Sequence, residues 1–308
     1  MRYFAVRLFE AVMTMIAVTL VVFVLIRLTG SPASTMLPAD ATPAEIAEMS
    51  ARMGWDDPIL VQYFHYVQAM FSGDFGVSLR SGLPVQEIVG EPFLASIKLT
   101  GLAILLAVLF GVPMGVRAAT KPKSFTARSS SVFALLGQAV PSFWTAILMV
   151  WVFGYTLGWI SFVGETGALG YLLPALCLSW GIVAGVIRLL RSSMMEVLNA
   201  DYIRFARIKG MLESVVVWKH GVRNGILPVV TFIGLMFGIV VANAVAVELV
   251  FNFPGLGRLT YEAVVTRDYP LLQFAVLSWA ALVVAISLTV DVVYKILDPR
   301  LGVITSDR

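Results

Sequence analysis

Charged residues are scarce in this chain. Asp, Glu, Lys and Arg together make up 13% of its 308 residues, whereas soluble domains carry about 25%. Hydrophobic residues make up 59%, and the mean hydropathy is +0.88. A soluble fold could not cover so much apolar surface, so the composition predicts a polytopic protein of the lipid bilayer. The formal net charge of only +3 argues against a nucleic-acid partner.

Residues and motifs of catalytic and metal sites are also rare. Cys177 is the one cysteine, so no intrachain disulfide can form, and His65 and His220 lie far apart without metal-ligand neighbours. The sequence has no Gly-Lys dipeptide and therefore no phosphate-binding loop, and it lacks G-x-S-x-G, H-E-x-x-H and C-x-x-C. We therefore expect a chain that binds no cofactor and has no ATPase site of its own, so that any uphill transport would take its energy from another polypeptide.

Long apolar runs predict an all-α membrane protein with six transmembrane helices, each near the length that crosses about 30 Å of hydrocarbon. The predicted spans are Leu8–Ile26, Leu94–Val116, Val132–Phe153, Leu172–Leu190, Ile226–Val250 and Leu271–Tyr294. The chain then divides into an N-terminal helix (1–28), an extracytoplasmic helical lid (29–93), a five-helix core (94–294) with a cytoplasmic loop (191–225), and a cytoplasmic tail (295–308). In the lid, Thr42-Pro-Ala-Glu45 predicts a capping box, Gly54 ends the first helix, and Asp57-Pro58 starts a second.

Positive charge predicts the orientation in the membrane. Most lysines and arginines outside the spans fall on one side, and the other side holds far fewer, among them Arg52, Arg80, Arg258 and Arg267. Because cytoplasmic loops carry the excess of Lys and Arg, we expect both termini and the 191–225 loop in the cytoplasm.

The polar stretch Asp201–Gly210 lies between two long apolar blocks. Read as a helix, it places Tyr202, Phe205, Ile208 and Leu212 on one face, with Arg204, Arg207 and Lys209 mostly off that face. Gly210 is suited to end the helix. Two interpretations stay open: a short amphipathic lever tethered to membrane spans, or a solvated basic loop that only fixes topology.

A few residues of the spans are candidates for the translocation pathway. Pro141 can kink or end its helix, and the freed carbonyl groups then need partners in protein or in a wet cavity. Glu248 with Asn243 is the candidate polar gate, because ionisable groups within spans often mark a pathway. Lys98 has an open role, since interfacial snorkelling explains it as well. The glycine pairs Gly111/Gly115, Gly181/Gly185 and Gly234/Gly238 predict close helix packing within the bundle.

The polar stretch contains three motifs in order: Tyr202-Ile-Arg-Phe-Ala-Arg-Ile-Lys-Gly210, Lys219-His-Gly-Val-Arg-Asn224 and Leu227-Pro228. With these motifs it resembles the EAA loop of ABC importer permeases of the dipeptide/oligopeptide/nickel branch. Other segments match that branch in order. They are Gly54–Tyr63, Gly73–Leu79, Val140–Trp144, Pro254–Leu259, Arg267–Gln273 and Asp298–Arg300.

The resemblance implies a type I ABC importer fold and a set of partners. A second related permease subunit, most often a paralogue in this branch, pairs with the chain. Two cytoplasmic ABC ATPase subunits, which carry ATP and Mg, dock to the pair, and an extracytoplasmic binding protein delivers the solute. The family is found in the cytoplasmic or inner membrane of bacteria and archaea.

The same resemblance implies that Asp201–Gly210 is the coupling helix that inserts into a groove of the ATPase. Phe205 and Ile208 would be apolar contacts, Ala206 and Gly210 would allow close approach, and the remaining members of the site would lie at the rim: Asp201, Tyr202, Arg204, Arg207 and Lys209. Phe205 and Ile208 replace smaller residues common in the family, and Lys98 stands where glutamate is frequent.

Several functions remain open at this stage. Short peptides are the expected solute, with a nickel chelate, an opine or glutathione as alternatives handled by similar permeases. A stand-alone carrier or channel is the competing class, although the spans lack the carboxylates expected of a proton relay.

Overall fold

The computed structural model describes residues 2–28, 33, 37, 40–52, 54–158 and 168–297. This part of the chain is almost entirely helical, and its only β pairing is an isolated antiparallel bridge between Val77 and Pro84. The helices are α1 Arg2–Leu28, α2 Pro43–Arg52, α3 Ile59–Phe71, α4 Val85–Thr120, α5 Phe125–Ala139, α6 Ser142–Met149, α7 Ala168–Leu198, α8 Asp201–Ile208, α9 Leu227–Val250, α10 Leu256–Val265 and α11 Tyr269–Leu297. A π-helical segment, Val150–Thr156, continues α6. The all-α prediction is confirmed.

Membrane-length helices match five of the six predicted spans within the described residues. The stretches apolar and long enough to cross a bilayer are Val6–Leu28, Val85–Thr120, Gly170–Leu198, Leu227–Val250 and Tyr269–Val290. Several of them extend well beyond the sequence-based limits, because polar turns of helix continue past the apolar run.

The predicted third span, Val132–Phe153, is not one straight helix. Ala127–Ala139 and Ser142–Thr156 meet at an angle of 104°. Val140 is extended at φ −97°, ψ 120°, and Pro141 follows at φ −61°, ψ 143°. A proline lacks the N–H that continues a helix and disfavours helical backbone in the residue before it, so the chain breaks here. The helices on either side of this break form a sixth span only if the two are counted as one.

Residues 1–96 and 254–284 form one compact unit. In it, α1 contacts α3 through the Tyr63 hydroxyl, which lies 3.0 Å from Thr19 Oγ1, and through Arg27 Nε, which donates to Gln62 Oε1 at 2.9 Å. At the start of α2, the Thr42 N–H donates to Glu45 Oε2 at 2.7 Å, and the Glu45 N–H reaches Thr42 Oγ1 at 3.4 Å. The predicted capping box is therefore present, and its backbone and hydroxyl donors lower the pKa of Glu45.

A buried aspartate in the same unit holds a tight turn in place. The Asp268 carboxylate accepts hydrogen bonds from the Ser78 hydroxyl, from the Leu79 N–H at 3.2 Å and from the Leu271 N–H at 3.4 Å. Asp268 and Ser78 are both almost fully buried. One carboxylate thus joins the 73–83 turn to the start of α11.

Asp268→Ala is expected to release this turn, because two buried donors and one part-buried donor lose their acceptor. Leaving such donors unsatisfied costs about 1–3 kcal/mol each before water enters. Faster amide hydrogen exchange at residues 78–83 should report the change. Asp74→Ala is the matched control, since Asp74 is an exposed carboxylate of the same turn that accepts a hydrogen bond from the Gly76 N–H. Equal exchange in wild type and Asp268→Ala would contradict the assignment.

Residues 97–253 and 285–308 form the second compact unit, in which α7 is the most buried of the membrane-length helices. Predicted close approaches at glycines are present. A Cβ on Gly111 would lie 2.7 Å from Val186 of α7, and one on Gly185 would lie 2.1 Å from the Phe232 ring of α9. A Cβ on Gly234 would meet Val290 at 2.6 Å, whereas Gly238 has nothing within 4 Å. Packing therefore accounts for Gly234 but not for Gly238.

Candidate functional site

The polar stretch between α7 and α9 contains the predicted helix. This helix, α8, covers Asp201–Ile208. The negative charge of Asp201 in its first turn interacts favourably with the positive end of the helix dipole. Gly210 has φ +76°, its N–H donates to the Arg207 carbonyl at 2.9 Å, and the Met211 N–H reaches the Ala206 carbonyl at 3.3 Å. This pattern is the glycine-terminated helix end predicted from the sequence.

One face of α8 packs on the protein itself. Ile203 and Ala206 form a small buried cluster with Val216, and Leu198 and Met211 pack against it. An eight-residue helix is not stable alone in water, so these contacts hold it folded. Ala206 thus lies on the supporting face, which corrects the expectation that it would allow close approach of a partner.

The opposite face is apolar and open to solvent. Phe205 is 64% exposed and Ile208 is 81% exposed, and Tyr202 and Leu212 are also exposed. The apolar stripe of a surface helix ordinarily faces the core. In α8 the face formed by Ile203 and Ala206 packs against the protein, and the predicted stripe is left exposed. We call Tyr202, Phe205, Ile208 and Leu212 the exposed stripe; apolar clusters of this kind mark interaction sites.

The basic residues around the stripe have different surroundings. Arg204 is largely exposed, and its nearest acid is Asp201 of the same helix at 3.8 Å. The Lys209 ammonium lies 5.6 Å from the centre of the Phe205 ring. Both can reach a partner at the rim of the stripe. Asp201 itself is fully exposed at the start of the helix.

Arg207 is instead engaged within the chain. Its guanidinium binds both carboxylate oxygens of Glu213, at 2.8 Å and 3.1 Å, and its Nη1 reaches the Leu198 carbonyl at 3.4 Å. Arg207 is therefore less available to a partner than Arg204, and its predicted place at the rim stays a prediction. The hydrogen bonds from Arg207 hold the pKa of Glu213 below its usual range, so the pair is charged at neutral pH.

Two residues outside the predicted site, Asp201–Gly210, contact its members. Glu213 is one. Asn224 is the other: its amide donates to the Tyr202 hydroxyl at 3.1 Å and to the His220 carbonyl at 3.0 Å. Asn224 follows a π-helical segment, Val216–Val222. The number of residues per turn in this segment determines which side of the chain the Asn224 side chain lies on. Glu213 could have been found as the first acid after the glycine stop, six residues beyond Arg207.

The proposed gate residues do not come together. Glu248 is fully buried, whereas Asn243 on the same helix is exposed. Five residues of an α-helix correspond to about 140° of rotation, so the two side chains point to different sides. Pro141 is exposed at the break between α5 and α6, and Lys98 is exposed on α4. Asn243 and Glu248 therefore do not contact one another along one face of α9, and their role in a gate stays a prediction.

The described residues form a helical membrane protein in which a short, well-supported helix presents an exposed apolar stripe. The chain belongs to the family of binding-protein-dependent transport system inner membrane components, whose model matches residues 111–303. The model of the N-terminal part of such membrane components matches residues 1–85. The chain is accordingly a multi-pass inner-membrane permease of an ABC importer.

Relatives cover nearly the whole chain. The glutathione transport system permease protein GsiC of Salmonella typhimurium is 38% identical over 302 residues, which cover 98% of this chain and 99% of the relative. The dipeptide transport system permease protein DppB of Alkalihalophilus pseudofirmus is 35% identical over 96% of this chain and 97% of its own length.

A solved structure has the same fold. The MetNI methionine ABC transporter in an inward-facing conformation matches with a TM-score of 0.59 at 16% identity, covering 70% of this chain and 98% of the matched chain. This likeness confirms the predicted type I importer fold for the core.

Proposed function

We propose that this chain is the membrane-spanning subunit of an ATP-driven importer of short peptides, glutathione included. The names of the relatives support this solute class, because the glutathione and dipeptide permeases align over almost the full chain. Selectivity within the class rests largely on a separate extracytoplasmic binding protein that delivers the solute.

The partner set follows from the same assignment. A second related permease completes the pathway, and two cytoplasmic ABC ATPase subunits bind and hydrolyse MgATP, for which this chain has no site. Both termini and the 191–225 loop lie in the cytoplasm. ATP-driven closure of the ATPase subunits displaces α8 and biases the spans between inward-open and outward-open states.

The observation that carries the proposal is the exposed stripe. An isolated topology loop has no need of a folded helix with apolar residues on both faces. The chain holds one face against its own cluster of Ile203, Ala206 and Val216 and leaves the other uncovered. Such an arrangement suits insertion into an apolar groove of a partner.

Reconstitution of the purified complex in proteoliposomes tests the function. The expected result is uptake of a labelled dipeptide or glutathione that requires ATP and the binding protein, with ATP hydrolysis stimulated by loaded binding protein. Solute flux through this chain without ATP or ATPase subunits would instead establish a stand-alone carrier or channel.

The orientation is tested separately by labelling. A cysteine introduced at Ile208 should react with an impermeant reagent only from the cytoplasmic side, and one at Phe71 only from the outer side. Both positions are highly exposed, and the native Cys177 is buried.

A further inference from the structure

We infer that the Arg207 guanidinium, bound to Glu213 and to the Leu198 carbonyl, is a positioning strut that makes α8 move as one body with the end of α7 and with the segment that leads to α9, and that Arg207 is not a contact to the ATPase. This inference rests on the proposed function, since it assigns how displacement of the coupling helix reaches the spans.

The geometry joins three segments at one guanidinium. Arg207 belongs to α8, the Leu198 carbonyl ends α7, and Glu213 begins the helical segment that leads to α9. Two parallel N–H···O bonds to a carboxylate fix the plane of the guanidinium as well as its distance. The third bond satisfies one of the last carbonyls of α7, which have no partner within that helix.

The exposure of the pair indicates what it contributes. The Arg207 side chain is 40% exposed and that of Glu213 is 61% exposed. Ion pairs this accessible contribute little to overall stability, because solvent screens them. Their orientation is nevertheless specific, so the pair sets the angle of α8 rather than holding the protein folded.

The other contacts of α8 leave it free to rotate, and the strut restrains this rotation. The cluster of Ile203, Ala206 and Val216 is small and apolar and fixes mainly the distance of the helix from its support. Asn224 holds Tyr202 near the start of the helix, and Arg207 is held in its last turn. With both ends held, a push on the exposed stripe is passed to α7 instead of being lost in rotation of α8.

The two arginines of the helix therefore have separate roles. Arg204 has its nearest acid within the same helix at 3.8 Å and is largely exposed, so it is available for docking. Arg207 uses three of its donors inside the chain. Arg204 accordingly provides the matched control, with the same charge on the same helix one turn away.

The test compares Arg207→Glu, Glu213→Arg and the double variant in the full complex. Each single variant should still retain the ATPase subunits, but solute imported per ATP hydrolysed should fall by at least about fivefold, within the usual range of coupling between sites. The double variant restores the ion pair but not the bond to the Leu198 carbonyl, because a carboxylate at position 207 cannot donate to it. It should therefore recover part of the wild-type ratio and exceed both single variants. Arg204→Glu should instead reduce ATPase retention, and adding Glu213→Arg should not rescue it.

A double variant as defective as Arg207→Glu would overturn the inference, as would loss of ATPase retention in Arg207→Glu equal to that in Arg204→Glu. A second measurement does not depend on the ATPase. With the chain in nanodiscs, the amide hydrogen exchange rate of residues 201–208 should rise in each single variant and be lower again in the double variant. An unchanged exchange rate in the single variants would also overturn the inference. If the wild-type complex retains no ATPase, the proposed function fails, while the exchange measurement still tests the strut.

Discussion

Phe205→Asp combined with Ile208→Asp is expected to abolish ATPase retention and ATP-driven uptake while leaving the permease inserted and folded. Both side chains lie on the exposed stripe, so neither substitution opens a cavity in this chain. Burial of each side chain in a partner groove contributes about 1.5–3 kcal/mol. Because about 1.4 kcal/mol is a factor of ten in affinity, each single variant should weaken docking by about tenfold or more.

Two control variants separate docking from folding. Phe125→Asp changes a phenylalanine that is 83% exposed at the start of α5, and it should leave ATPase retention unchanged. Ile203→Asp places a charge in the buried cluster beneath α8 and should reduce the yield of folded protein. Co-purification of the complex in detergent, followed by uptake in proteoliposomes, gives both readouts. Wild-type retention by the double aspartate variant would refute docking through the stripe.

Local sequence signals predicted the elements of this site well. The spacing of apolar residues, the polar break after α7 and the glycine at 210 gave the helix and its end. Helix periodicity could not show which face turns outward, because Ile203 and Ala206 form one apolar face and Phe205 and Ile208 another. The buried face is the one that packs against Val216, a residue that comes after the turn that ends α8.

Distant contacts had no comparable signal. The bond between Ser78 and Asp268 joins residues 190 positions apart, and nothing local predicts it. Pro141 predicted a disturbance of the third span but not the 104° angle between its two arms. For Asn243 and Glu248 the sequence already shows that a spacing of five residues does not fit one face of a helix, so the two side chains point to different sides of α9.

Gly210→Arg is expected to leave the chain inserted but to abolish uptake. Gly210 has φ +76°, a conformation that costs an ordinary residue about 1–2 kcal/mol. No atom lies within 4 Å of the position of an added Cβ, so the chain itself has room for a side chain there. The defect therefore comes from a strained helix end next to Lys209 and from a bulky cation projecting at the docking surface.

Gly210→Asn separates these causes, because asparagine tolerates a positive φ better than most residues and its side chain is short and uncharged. It should retain most of the uptake, whereas Gly210→Arg should lower it by at least about tenfold, equivalent to 1.4 kcal/mol. Gly82→Arg is a further control, since Gly82 has φ +70° and equally open space in the 73–83 turn. Loss of uptake in all three variants at normal expression would point to backbone strain as the cause. Normal uptake by Gly210→Arg would show that this end of α8 does not enter the ATPase groove.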